Sequence, residues 1–235
     1  MSEPLEAVAD PAPPLAPPTA GRDLLFGVAM IWGLDLALGI AIVLASGLKA
    51  EAHPPGQILW TSLLSGAWTV AVSAYFVCRR RGLSFREGFA LKDVGRRTAL
   101  GSALLGGALG IGAWLVMDAF STGASAMAEL ASTPGGLAVL SVLAFAMVPV
   151  EELYYRGFIF PALRDRWGAT TAVVLTTLWF WAAHVFQLFG DPAGIAVILV
   201  VATTFTLQRH RSGSLVPPLL THAAYNGVLV TLSFA

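Results

Sequence analysis

Seven residues stand at helical spacing inside otherwise apolar stretches: Glu151, Glu152 and Arg156; Phe180 and His184; His222 and Asn226. Glu152 and Arg156 are four apart, so on a helix they face each other and can pair. Glu151 is turned about 100° from Glu152 on a helix of 3.6 residues per turn. One carboxylate is thereby neutralised while its neighbour stays free, and a free carboxylate is what a general base requires. Phe180 with His184, and His222 with Asn226, are also i, i+4 pairs that share a helix face. A carboxylate, two imidazoles and a carboxamide can activate a water and hold an oxyanion, the two demands of amide hydrolysis. Each motif alone has an equally good structural explanation. The charged trio fits an interfacial salt-bridge network, His184 a satisfied bundle histidine, and His222–Asn226 an interhelical hydrogen bond. Other hydrolytic signatures are missing: there is no H-E-x-x-H helix, no serine in a nucleophile setting, and no histidine near Cys78 in sequence.

The elements that carry these residues are membrane spans. Of 235 residues, 56% are hydrophobic and 12% charged, about half the charge of a soluble domain, so the chain is expected to be an all-α, polytopic membrane bundle. Apolar runs of about 20 residues, the length that crosses a bilayer, lie at 24–48, 57–78, 100–120, 136–163, 169–189, 193–207 and 215–235. That predicts seven spans, or eight if the fourth run is broken. Residues 1–21, rich in Pro and Ala and carrying Glu3, Glu6 and Asp10, read as a disordered tail, and 22–235 as one bundle. Threading seven spans puts Arg22, Arg79–Arg81, Arg86, Lys92, Arg96, Arg97, Arg164, Arg166, Arg209 and Arg211 on one side, with only Lys49 opposite. The positive-inside rule makes that side cytoplasmic, with the N-terminus inside. The single cysteine excludes an internal disulfide.

Depth ties the motifs together. At 1.5 Å per residue, Glu151 lies about 20 Å from Arg164, His184 about 25 Å from Trp167, and His222 and Asn226 about 17 and 22 Å from Arg211. The three motifs thus reach one level on separate helices, which favours a shared polar cavity. Pro149 breaks the helical ladder just before Glu151. Gly106 and Gly110 have the small-xxx-small spacing of a close helix contact. Residues 84–97 are expected to form either an interfacial amphipathic helix or a plain basic loop.

Glu-Glu-Leu-Tyr-Tyr-Arg at 151–156, Phe180-x-x-x-His184 and His222-x-x-x-Asn226, in this order on separate spans, resemble the CPBP family of intramembrane proteases. That family includes the type II CAAX prenyl endopeptidases and bacterial homologues named for lysostaphin resistance. The likeness covers about residues 136–235. It implies an endopeptidase acting on a hydrophobic or lipidated, CAAX-like peptide. By the resemblance, Glu151 and His184 would activate the water, His222 and Asn226 would hold the oxyanion, and Glu152, Arg156 and Phe180 would brace the site. The mechanism implied needs no metal, although Glu151, His184 and His222 would be the ligands if zinc were used. The alternative, from a different class, is a non-proteolytic scaffold or bacteriocin-immunity protein that binds peptide in the same cavity. The partners expected are membrane lipids and a peptide substrate, with no nucleic acid. The expected location is the cell membrane, in a bacterium the inner one, given the Ala-, Gly- and Arg-rich composition.

Overall fold

The computed structural model describes residues 21–46 and 54–234; of the tail expected at 1–21, residues 1–20 lie outside the described residues, as does Lys49, while Gly21 is already the first residue of a helix. Among the described residues every regular element is helical. The long helices are α1 (Gly21–Ser46), α2 (Pro55–Val77), α4 (Arg96–Phe120), α6 (Gly136–Glu151), α7 (Phe160–Val185), α8 (Pro192–Ser212) and α9 (Val216–Leu232). Two short ones, α3 (Phe85–Gly88) and α5 (Ala126–Ser132), sit in connections. Local chemistry sets several of the ends. Proline occupies the first turn of α2, α8 and α9, where its missing N–H is no loss. The Asp191 side chain caps α8 by accepting from the Gly194 N–H, and Gly213 in the left-handed region ends it.

Five stretches are long and apolar enough to cross a membrane: Gly21–Leu44, Pro55–Arg81, Arg96–Phe120, Gly136–Val185 and Pro192–Ser212. The fourth is 50 residues long, far more than one bilayer needs, and it folds back on itself. Gly168 interrupts it with φ 82° and ψ 170°, a backbone open to glycine and strained for other residues. The Tyr155 and Phe180 rings, 25 positions apart and so about 37 Å along a straight helix, meet with centroids 5.0 Å apart. The stretch is therefore a hairpin, with legs before and after Gly168. With α9, at 17 residues, the described residues supply seven legs of a polytopic helix bundle. Large apolar side chains such as Leu25, Phe26, Leu36, Trp60, Leu104 and Phe120 are exposed on its outside, as a lipid-facing surface requires.

The basic connections meet at one end of this bundle. Arg80 pairs with Asp23 at 3.1 Å, Arg166 lies against Gly21, and the Ser214 hydroxyl donates to the Lys92 carbonyl. Residues 84–97 form neither a long amphipathic helix nor an unstructured loop. They make the single turn α3, closed by a capping box in which Ser84 and Glu87 bond reciprocally. Those bonds hold the Glu87 carboxyl below its usual pKa. Phe89 follows, fully buried, and the Leu215 N–H donates to the Ala90 carbonyl, tying this loop to the start of α9.

Helix α9 is set in place by α4. A methyl group added at Gly106 would collide with the Thr221 carbonyl oxygen, and one at Gly110 would come within 2.8 Å of Val228. Only glycine permits this backbone approach. Because Thr221, Tyr225 and Val228 face α4, His222 and Asn226 are turned toward α6 and α8.

Candidate active site

Pro149 has no N–H to return to the carbonyl four residues earlier. Just beyond it, at Glu152–Ile159, the helix widens into π-type bonding, in which the Phe160 N–H reaches the Tyr155 carbonyl five residues back. Such π segments inside α-helices recur at functional sites. All eight residues of this one are buried. It places two consecutive carboxylates against a single imidazole. His222 Nδ1 lies 2.9 Å from Glu152 Oε1, while its Nε2 lies 3.8 Å from Glu151 Oε2.

Arg156 fixes Glu152. Its Nη1 donates to Glu152 Oε1 at 3.0 Å, Nη2 to the Ala202 carbonyl and Nε to Thr206 Oγ1, both at 3.3 Å. Both side chains are fully buried, and a buried charge is tolerable only when paired and hydrogen-bonded like this. The guanidinium also lies over the Phe180 ring at 4.3 Å and near the Phe205 ring at 5.5 Å. Those two rings floor the two histidines. Phe180 stacks on His184 at 4.3 Å and Phe205 on His222 at 4.6 Å.

The hydrogen bonds decide which ring nitrogens carry protons. A carbonyl only accepts, so His184 Nδ1, 2.8 Å from the Phe180 carbonyl oxygen, must be the N–H. His184 Nε2 is then a lone pair, 3.9 Å from Glu151 Oε2. His222 Nδ1 likewise donates to the carboxylate that Arg156 holds. Both rings therefore turn their Nε2 atoms toward one oxygen of Glu151, at separations too long for a direct hydrogen bond. Exposure divides the cluster in two. The side chains of Glu151 and His184 are 23% and 17% exposed, whereas those of Glu152, Arg156 and His222 are at most 6%. The first pair forms the open side and the rest its sealed support.

Asn226 sits one turn beyond His222 and donates its amide to the Ala144 carbonyl of α6. The structure thus gathers Glu151, Glu152, Arg156, Phe180, His184 and His222 into one contact network, and links Asn226 to it through α6 and α9. A carboxamide has two N–H donors, so one remains beyond the Ala144 bond.

Three supporting residues on α8 carry no obvious sequence signal. They are Phe205 under His222, Thr206 on Arg156, and Arg209, whose Nε donates to the Arg156 carbonyl at 3.0 Å. A threonine and an arginine three apart in an apolar run are the only trace that spacing leaves. Were zinc held by Glu151, His184 and His222, bonds of 2.0–2.1 Å would place tetrahedral ligands about 3.3 Å apart, against 3.9 and 3.8 Å from Glu151 Oε2 to the Nε2 atoms of His184 and His222. Among the described residues no three His, Cys, Asp or Glu side chains are grouped to hold a metal ion.

The family model described as Type II CAAX prenyl endopeptidase Rce1-like matches residues 133–228, a segment that contains every residue of the cluster. No curated protein and no solved structure matches the chain. Residues 133–228 of this multi-pass membrane chain are thus similar to the Rce1-like family of type II CAAX prenyl endopeptidases.

Proposed function

We propose that the chain is an intramembrane endopeptidase that cleaves a hydrophobic or lipidated, CAAX-like peptide with a water activated by Glu151 and His184. The observation that carries this reading is the convergence of Glu151 Oε2 with the Nε2 atoms of His184 and His222, at 3.9 and 3.8 Å, with both Nδ1 atoms already engaged. A water in that gap donates one hydrogen to Glu151 and the other to His184 Nε2, leaving an oxygen lone pair for attack. The oxygen–carbon bond forms as Glu151 takes the proton. The scissile carbonyl oxygen becomes an oxyanion, held by the second amide N–H of Asn226 and by a proton on His222 Nε2. The Glu152 carboxylate, on His222 Nδ1 at 2.9 Å, orients that ring toward the oxyanion. On collapse the carbon–nitrogen bond breaks, and Glu151 returns its proton to the departing amine.

An apolar substrate fits the surroundings. Phe186 and Phe189, directly after His184, are 82% and 75% exposed, which suits an apolar chain arriving from the lipid side. The basic end of the bundle is assigned to the cytoplasm by the positive-inside rule, with the start of α1 on that side.

The test compares wild type with Glu151→Gln, matched for membrane level, in a host lacking its own homologue. Membrane peptide termini are read by mass spectrometry. The expected result is a set of new termini with wild type alone. Identical peptidomes, with any host phenotype rescued equally by both forms, would replace the peptidase with a peptide-binding scaffold.

A further inference from the structure

Arg209 has a charge that the proposed chemistry does not use. It sits in the last turn of α8 with only 4% of its surface exposed. Its Nε is spent on the Arg156 carbonyl. Among the described residues its two Nη groups make no hydrogen bond and no carboxylate pairs with it. The Phe160 ring lies 5.7 Å from the guanidinium, and the His210 ring is tilted beside Phe160 with centroids 6.4 Å apart. Arg164 adds a second positive charge within electrostatic reach. Its own charge is matched by Asp165 at 3.2 Å, so of this pair the charge left unmatched among the described residues is that of Arg209. A buried guanidinium held by one carbonyl is costly, because its desolvation is not repaid by an opposite charge. The free fork of a guanidinium matches two oxygens of a phosphate. The location agrees, since this is the basic end of the bundle, at the level where lipid headgroups lie and where basic pockets between helices take anionic lipids.

We propose that Arg209, flanked by Arg164, binds a phosphate group, that of an anionic phospholipid or a free phosphate ion, at the basic end of α8. The occupant would neutralise Arg209 and so steady the hydrogen bond by which this residue holds the π segment at Arg156. The site stands independently of the peptidase reading.

The experiment uses the full chain purified in detergent with phosphatidylglycerol and phosphatidylcholine, and counts retained lipid by native mass spectrometry. Wild type is expected to retain phosphatidylglycerol over phosphatidylcholine. Arg209→Gln should lower that retention by at least about fivefold, the contribution of one basic residue to holding an anionic lipid. Arg209→Lys, which keeps the charge without the fork, should fall between them and guards against simple misfolding. Arg211→Gln, on the same helix end, serves as the control and should behave as wild type. Inorganic phosphate is then added to lipid-free protein. A rise in melting temperature with wild type but not with Arg209→Gln, in the absence of retained lipid, assigns the same site to free phosphate. Equal lipid retention by wild type, Arg209→Gln and Arg209→Lys, with no phosphate-dependent shift that distinguishes them, overturns the proposal.

Discussion

At the scale of single residues, the site divides into groups that would touch substrate and groups that hold them. Asn226 gives one amide N–H to Ala144 and would offer the other to the oxyanion. Asn226→Ala is expected to lower kcat about 10²–10³-fold, the usual loss for one oxyanion donor, with KM nearly unchanged, as measured on a cleaved peptide in proteoliposomes. An equal fall in kcat and thermal stability would instead leave Asn226 a strut between α9 and α6. Arg156 belongs to the holding class. Arg156→Met strands Glu152 in a buried site, and losing one partner of such a pair costs about 3–5 kcal/mol. That loss should appear as a lower melting temperature in detergent, and restoring neutrality with Glu152→Gln in the same chain should recover part of it. In the proposed mechanism Glu151 and His184 activate the water without a metal, so activity is expected to survive exhaustive chelation; loss on chelation and recovery with Zn²⁺ would make Glu151, His184 and His222 ligands. The i, i+4 spacing alone makes the Glu152–Arg156 pair legible. It does not show that His222 Nδ1 joins the same carboxylate, because that contact depends on the relative rotation of two helices far apart in sequence.

At the scale of elements, helix α9 owes its rotation to α4, and the two glycines that permit the contact are open to a direct trial. Gly106→Leu drives a side chain into the Thr221 carbonyl, whereas Gly107, its neighbour, has nothing within 4 Å of an added methyl. Overpacking of this kind costs about 1–3 kcal/mol or more. Gly106→Leu should therefore lower both melting temperature and peptidase rate, because His222 and Asn226 ride on the displaced helix, while Gly107→Leu should leave both within error. Equal effects of the two would remove α4 as the part that sets α9. Apolar runs and the small-xxx-small spacing make the helices and this contact readable from the sequence. The π segment is not readable there. Pro149 marks a break in bonding, but whether the chain answers with a kink or with a wider turn depends on Arg156, Phe180 and His222 packing around it. The one-turn α3 is hidden for a similar reason: Phe89 looks like part of an amphipathic surface until Gly157, whose missing side chain leaves room for that ring, is brought beneath it.

At the scale of the molecule, charge placement and topology agree on sidedness. Alternate threading gathers Arg22 and the arginines of three connections, and contacts at the basic end, Arg80 with Asp23, Arg166 with Gly21 and Ser214 with Lys92, require the same grouping from geometry. The opposite end is closed by different pairs: Ser121 donates to the Asp191 carboxylate and Thr122 to the Gly190 carbonyl. Glu151 lies 17 residues before Gly168 and His184 16 after it, so the hairpin carries both to the same height, about 25 Å from its turn. A single cysteine, Cys78, buried, makes the orientation simple to measure. In a Cys78→Ala background, Lys92→Cys and Glu129→Cys place one exposed thiol at each end. A membrane-impermeant maleimide applied to intact cells or spheroplasts should label Glu129→Cys and reach Lys92→Cys only after the membrane is opened. The reverse pattern would put the basic end outside, against the positive-inside rule, and would move the entry of water and peptide to the other face. Labelling of both thiols in intact cells would mean that the chain inserts in two orientations, which the one-sided placement of its arginines argues against.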